Sequence, residues 1–265
     1  MTPAAEFDGL RAKLYSEALK EFPNARKTDI DLMANYLSPK SGETILEIGA
    51  GNGIFSGAIA DATLPNGKVI VTDPSREQLF GVSDLGRENI EIRNEGADML
   101  SLQENGIDGI WSFGAVHHIF NKTAAFNNFN RCLKPGGRLV IGDVFAGSDL
   151  ARHFDDRVAK FCSTGHEVSF LSREYTESLC FLTGFEKPEF YDFNAKWVFE
   201  KKEDVGAFLY KLHAMTKTTP EECLKGAEEM LGIIEEGGKF YLNWPMTIVV
   251  TKKTQAQDQD QKSGQ

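Results

Sequence analysis

The chain has 265 residues, 41% apolar and 26% charged, an ordinary globular composition with room for one large α/β domain or a core domain plus a small cap. A formal net charge of −10 without a long basic run argues against a nucleic-acid partner, because that affinity comes mainly from Lys and Arg neutralising phosphates. No stretch approaches 18 consecutive apolar residues, and charges spread through the first twenty positions leave no apolar signal region, so no membrane partner and a cytoplasmic location are expected.

In chain order, helical periodicity is expected over 4–20 and 27–37. Strands follow at Thr44–Ile48, Lys68–Thr72, Ile90–Arg93, 109–113 and 138–143, alternating with helices at 53–61, 75–85 and 123–132. Most of these strands are short apolar runs, as burial on both faces requires, and the alternation implies parallel pairing under helices. Beyond them come helices at 148–161 and 172–182 and an aromatic strand at 190–199. Two further helices, at 203–215 and 220–234, precede a long final strand, Lys239–Lys252. Pro220 suits a first helical turn. The tail, 254–265, has Ala256 as its one apolar residue and is expected to be disordered.

The strongest local signal is Glu47-Ile48-Gly49-Ala50-Gly51-Asn52-Gly53, a strand end followed by glycines two apart and then a helix. Glycine permits a tight turn and lets a ligand lie against bare backbone, and the following helix presents free N–H groups. The second strand ends at Asp73-Pro74, where a carboxylate can accept from both hydroxyls of a ribose. A dehydrogenase fingerprint needs G-x-G-x-x-G, which this spacing misses because position 54 is Ile. Glu47, moreover, suits a ligand bearing an ammonium group better than a pyrophosphate.

These residues resemble the first motif of the class I S-adenosylmethionine-dependent methyltransferases. Four further segments resemble the same family in order: Asp73-Pro74, Gly96-Ala97-Asp98, Ser112–His118 and Leu133-Lys134-Pro135-Gly136-Gly137. The resemblance covers about 41–143. It implies an α/β fold, Rossmann-like and doubly wound, with a mostly parallel seven-stranded sheet completed by 190–199 and the final strand. It also implies a lid from 1–40, a methyltransferase domain over 41–253 with helical cap insertions at about 148–183 and 202–235, and S-adenosylmethionine as cofactor with S-adenosylhomocysteine as product. Carried over by position, Glu47, Gly49, Gly51 and Gly53 would hold the methionine end and Asp73 and Pro74 the ribose side. Ala97 and Asp98 would contact adenine, Phe113 and Ala115 would line the passage beneath the sulfonium, and Phe7 and Tyr15 would fold over the donor. Glu47 and Asp73 also read as solvated acids, and Asp98 as a helix cap.

Methyl transfer is an in-line displacement, so the protein mainly aligns the reactants, with a base needed only if the nucleophile arrives protonated. His118 is the first candidate for that base and His166 the second, though His166 also reads as a surface-loop residue. His117 is expected to be packed, and His153 and His213 to be exposed helix residues. Cys132, Cys162, Cys180 and Cys223 show no C-x-x-C spacing and read as reduced structural thiols, which also argues against the arsenic-methylating relatives. With no cluster at ligand spacing, no metal is expected. The 19 phenylalanines and the run Tyr191, Phe193, Trp197, Phe199 suit either core packing or an apolar, aromatic acceptor pocket. The expected function is methylation of a small molecule at oxygen, nitrogen or carbon, by a monomer or homodimer. The alternative is a cofactor-binding protein of this fold that is regulatory or drives other chemistry such as a cyclisation.

Overall fold

The computed structural model describes residues 6–255. Its sheet is built from β1 (Thr44–Ile48), β2 (Lys68–Thr72), β3 (Ile90–Arg93), β4 (Ile107–Phe113), β5 (Leu133–Asp143), β6 (Glu189–Phe199), β7 (Ile233–Glu236) and β8 (Lys239–Lys252). The order across the sheet is β3-β2-β1-β4-β5-β8-β6, with β7 folded as a hairpin on β8. Strands β1 to β5 pair in parallel, and β8 runs antiparallel to both β5 and β6. The expected seven-stranded, mostly parallel sheet is therefore present, and β7 is an eighth strand.

The helices are α1 (Leu10–Glu21), α2 (Lys27–Tyr36), α3 (Ser56–Thr63), α4 (Phe80–Ser83), α5 (Lys122–Cys132), α6 (Asp149–His153), α7 (Arg173–Leu182), α8 (Lys202–Leu212) and α9 (Pro220–Met230). Strands β1, β2 and β4 are buried along nearly their whole length, because apolar clusters cover both faces of the sheet. Successive strands run outward from β1 to β3 on one side and from β4 to β5 on the other. The order reverses between β1 and β4, and at such a point the carboxyl ends of the strands leave a crevice for a ligand.

Several boundaries moved for local reasons. The expected helix at 75–85 shrinks to α4, since Ser75 Oγ accepts from the Gln78 amide and closes a turn ahead of it. The expected helix at 148–161 is α6 running through a π turn (Phe154–Val158) into Ala159–Phe161. Helix α9 starts as expected, with Pro220 at its first position and Thr219 accepting from Glu222 N, but it stops at Met230, four residues early. Gly232 then turns with a positive φ of 83° into β7. Thr254 donates its amide to Gly184 O, so the first tail residue is anchored; 256–265 and the expected helix start before Glu6 lie outside the described residues.

Helix α8 packs on α1 and α9, α9 on α6, and α2 on β6, so the N-terminal helices and both late helical segments meet above the sheet. Among the described residues no helix is long and apolar enough to cross a membrane.

Candidate active site

At the carboxyl end of β1 the glycine turn opens onto a cavity of about 470 Å³, within the roughly 300–1,000 Å³ usual for small-molecule sites. Gly49 has φ 65°, and a Cβ there would lie 2.4 Å from Ala115 Cβ, so no other residue fits without moving the segment that follows β4. The amides of Gly49 and Ala50 donate to Thr72 O, tying the turn to β2. Asp73, at the tip of β2, finishes the frame: its Oδ2 accepts from Gly51 N at 2.9 Å and its Oδ1 from Ser75 N at 2.8 Å. Burial nevertheless raises the Asp73 carboxyl to about 6 against these two donors.

Of the residues assigned by resemblance to the donor, Tyr15, Gly49, Gly51, Asp73, Pro74, Ala97, Asp98, Phe113 and Ala115 line this cavity, and Glu47 and Gly53 do not. Glu47 is 1% exposed and turns beneath the glycine turn, where its Oε2 accepts from Ser56 Oγ at 2.6 Å. Its Oε1 is buried without a protein partner. Burial, assisted by the nearby Asp73, pushes its carboxyl up to about 8. A raised folded value favours the protonated form, so the stability it gives is complete below the ordinary value of 4.5 and is lost as pH rises toward 8. Glu47→Gln keeps an acceptor for Ser56 and removes the burden of ionising. Its melting temperature should match wild type near pH 4 and exceed it by several degrees at pH 8, on the order of 2 kcal/mol. Parallel melting curves at both pH values check this.

Ala97 and Asp98 sit on a short 3-10 turn after β3, with Ala97 buried and Asp98 exposed at the rim. Phe113 closes the end of β4, stacked on Trp111 at 5.6 Å and packed against Phe55. Tyr15 of α1 lies over the turn, 3.7 Å from where a Gly51 Cβ would be, and its hydroxyl accepts from Arg26 Nη1 at 3.3 Å.

The other end of the cavity is a corner of histidines. His117 is fixed by Asp143, which accepts from its amide at 3.1 Å and lies 2.5 Å from its Nδ1. His118 follows, with ring centroids 4.2 Å apart, and His166 comes in from the 163–170 loop, 4.9 Å from His118 and 5.8 Å from His117. Ser169 N–H donates to His117 O and Arg11 Nη1 to Gly165 O, which holds that loop in place. His166 is therefore buried, not a surface-loop residue. Burial, then the neighbouring His117, keeps both His118 and His166 well below the usual imidazole range, so each is held neutral and is a weak proton acceptor. Sequence spacing showed no metal-ligand cluster, but the fold brings three histidines from two segments together. One nitrogen from each of His117, His118 and His166 lies within 4.8 Å of the others.

His153 and His213 also depart from expectation, since both are buried. His213 faces the cavity and stacks on Trp244 at 5.9 Å, while His153 packs on Phe154 and Trp244. With Trp197, Leu212 and Met246, His213 belongs to an apolar wall in which Trp197 and Trp244 stack at 4.1 Å, and His153 packs behind it outside the cavity. The alternation of β6 turns Ala195, Trp197 and Phe199 inward and Asn194 and Lys196 outward. Sequence reasoning placed Trp197 on a strand and left open whether it packs in the core or lines a pocket; it lines this wall. It missed Arg26, Trp244 and Met246, which carry no motif. The four cysteines are free and buried, and Cys162 and Cys223 contact Thr164 and Met215 respectively.

A family model described as a methyltransferase domain matches residues 46–141. The chain is 26% identical over 166 residues to an O-methyltransferase of Pyrenophora dematioidea, covering 60% of each. It is 30% identical over 118 residues to 27-O-demethylrifamycin SV methyltransferase of Amycolatopsis mediterranei, covering 43% of each. It spans about half the length of the curated relatives it matches. The fold is similar, at a TM-score of 0.69 and 17% identity, to Haemonchus contortus phosphoethanolamine N-methyltransferase 2 in complex with S-adenosyl-L-methionine, over 96% of this chain and 60% of that one.

Proposed function

We propose that this chain, a member of the class I S-adenosylmethionine-dependent methyltransferases, transfers the donor's methyl group to a small molecule held between the histidine corner and the aromatic wall. One observation carries the reading: the glycine turn with Asp73, the histidines and the Trp197–Trp244 wall all open into a single cavity. A donor and an acceptor can therefore meet there, out of water.

The residues present fit the donor. The Gly49 turn leaves a bare backbone cradle that a Cβ would fill, and Asp73 retains lone pairs beyond its two backbone donors. S-adenosylmethionine, when bound, supplies an electrophilic methyl group on a sulfonium. The chain's part is to hold and orient. The backbone of Gly49 to Gly53 receives the amino-acid end, with the buried Glu47 carboxyl, held protonated by its burial, supporting the turn from beneath through Ser56. Asp73 accepts from the ribose hydroxyls, with Pro74 beside it. Ala97 and Asp98 border the base, and Phe113 and Ala115 shape the passage toward the acceptor. Tyr15 covers the turn, and Phe7, edge-on to His118, covers the histidines. His118 and His166 face the acceptor as neutral imidazoles. The apolar wall favours an acceptor with an aromatic or other flat apolar body.

Calorimetric titration of S-adenosylmethionine and S-adenosylhomocysteine into the full chain tests the donor site. Micromolar binding, about −8 kcal/mol, is expected. No heat from folded, ligand-free protein would overturn it. Donor binding without S-adenosylhomocysteine formation across oxygen, nitrogen and carbon acceptors would leave the fold working on other chemistry.

A further inference from the structure

We propose that His117, His118 and His166 bind a divalent transition-metal ion at the acceptor end of the cavity. Three arguments converge. First, geometry: one nitrogen from each ring lies within 4.8 Å of the others, although the residues come from two separate segments of the chain. Second, unmet bonding: the Nδ1 atoms of His118 and His166 are buried with no hydrogen-bond partner, which is costly unless something fills that role. Third, orientation: the Asp143 carboxylate sits 2.5 Å from His117 Nδ1. A carboxylate in that position accepts the Nδ1–H hydrogen bond and leaves the Nε2 lone pair free, the outer support that metal-binding imidazoles characteristically have.

The donor set also defines the ion. Three imidazoles suit zinc, copper, nickel or ferrous iron over magnesium or calcium, which prefer oxygen. Besides Asp143, the Glu6 carboxylate approaches the cluster, its Oε2 lying 3.8 Å from His118 Nδ1, but it is ion-paired with Arg11 at 2.5 Å. Three protein ligands and an open position facing a cavity is the pattern of a catalytic rather than a structural zinc. Metal binding stands apart from the methyl-transfer reading. Its use does rest on that reading: an ion there would draw the acceptor's oxygen toward the donor and stabilise it as an oxyanion, selecting hydroxyl- or enol-bearing acceptors.

The experiment uses the full chain without a polyhistidine tag, treated with chelator and titrated with Zn²⁺ by calorimetry and with Co²⁺ by visible absorption. Wild type should take up one equivalent of Zn²⁺ and develop the visible bands of nitrogen-ligated Co²⁺. His118→Ala and His166→Ala should each weaken Zn²⁺ at least tenfold, and Asp143→Asn by about 10–100-fold. His153→Ala, outside the cluster, should bind as wild type. If a ligand variant fails to fold, judged by circular dichroism, His166→Asn replaces it. Folded wild type that binds neither ion overturns the proposal, as does Zn²⁺ affinity unchanged in folded His118 and His166 variants. S-adenosylmethionine titrated into the same samples separates the two readings, because a protein that binds the donor and no metal fails here alone.

Discussion

Asp73→Ala is expected to weaken S-adenosylmethionine binding by about 30–1,000-fold while leaving the fold intact. Two losses combine. Hydrogen bonds to a charged group contribute about 1.5–3 kcal/mol, and the ribose would lose its acceptor. The Gly51 amide, now held by Asp73 Oδ2, would lose its own, so the turn that receives the donor is no longer fixed. About 2–4 kcal/mol in all converts to the stated range. Stability should hardly fall, because the carboxyl is already raised to about 6 by burial and its removal relieves that desolvation. Asp73→Asn discriminates between the two losses. Its amide oxygen can keep one backbone donor but cannot serve two backbone groups and a ribose, so its affinity should lie between the two. Calorimetry on the three proteins at one pH checks the order. Donor binding unchanged in Asp73→Ala would remove the ribose assignment.

The central fold was legible in the sequence because parallel strands buried on both faces leave an unambiguous signature of short apolar runs, Thr44–Ile48 and Lys68–Thr72 foremost. The donor end was legible for a related reason. Its chemistry is done by backbone and one strand-tip carboxylate, and a backbone that must take a positive φ records itself as glycine. The placement of Glu47 was not, because a strand residue's direction depends on which face of the pleat it occupies, and here that face lies beneath the turn. The acceptor end left no such record. His117 and His118 are adjacent in sequence, but nothing local says that a loop will bring His166 to them. His213 looked exposed because it ends an amphipathic helix whose outer side is, in three dimensions, covered by Trp244 and Phe154. Buried surfaces made by a second layer of packing carry no periodicity of their own.

The two ends of the cavity thus differ in how they are built, and the difference fits their tasks. The donor end is part of the sheet, so its geometry is fixed by strand register. The acceptor end is assembled from α1, α2, the 163–170 loop, β6, α8 and β8, and many combinations of side chains could keep those elements packed. A buried ion pair tethers two of them. Arg26 Nε donates to Asp29 Oδ2 at 2.7 Å at the start of α2, and the Trp197 indole N–H of β6 donates to the same carboxylate at 3.0 Å. Arg26 in turn lies 5.2 Å over the Trp197 ring and donates to Tyr15 of α1.

Asp29→Ala is therefore expected to destabilise the protein by about 3–5 kcal/mol, the cost typical of leaving one partner of a buried ion pair uncompensated. At roughly 2–4 °C per kcal/mol for a domain of this size, the melting temperature should fall by about 10 °C. Asp29 is wholly buried, and burial pushes its carboxyl up against the pull of Arg26, so the charge is there because Arg26 and Trp197 require it. Removing it strands a guanidinium and an indole N–H together. The double variant Arg26→Met, Asp29→Leu should recover most of the loss, since an apolar pair of similar volume escapes the desolvation of both charges. That recovery would show that the pair serves orientation more than stability, and donor titration would locate the orientation. If Arg26 positions Tyr15 and Trp197 at the cavity, the refolded double variant should bind S-adenosylmethionine more weakly than wild type despite its restored melting temperature. A double variant equal to wild type in both respects would mean that the pair is incidental to the site, and a double variant no more stable than Asp29→Ala would mean that the tether itself holds α2 to β6.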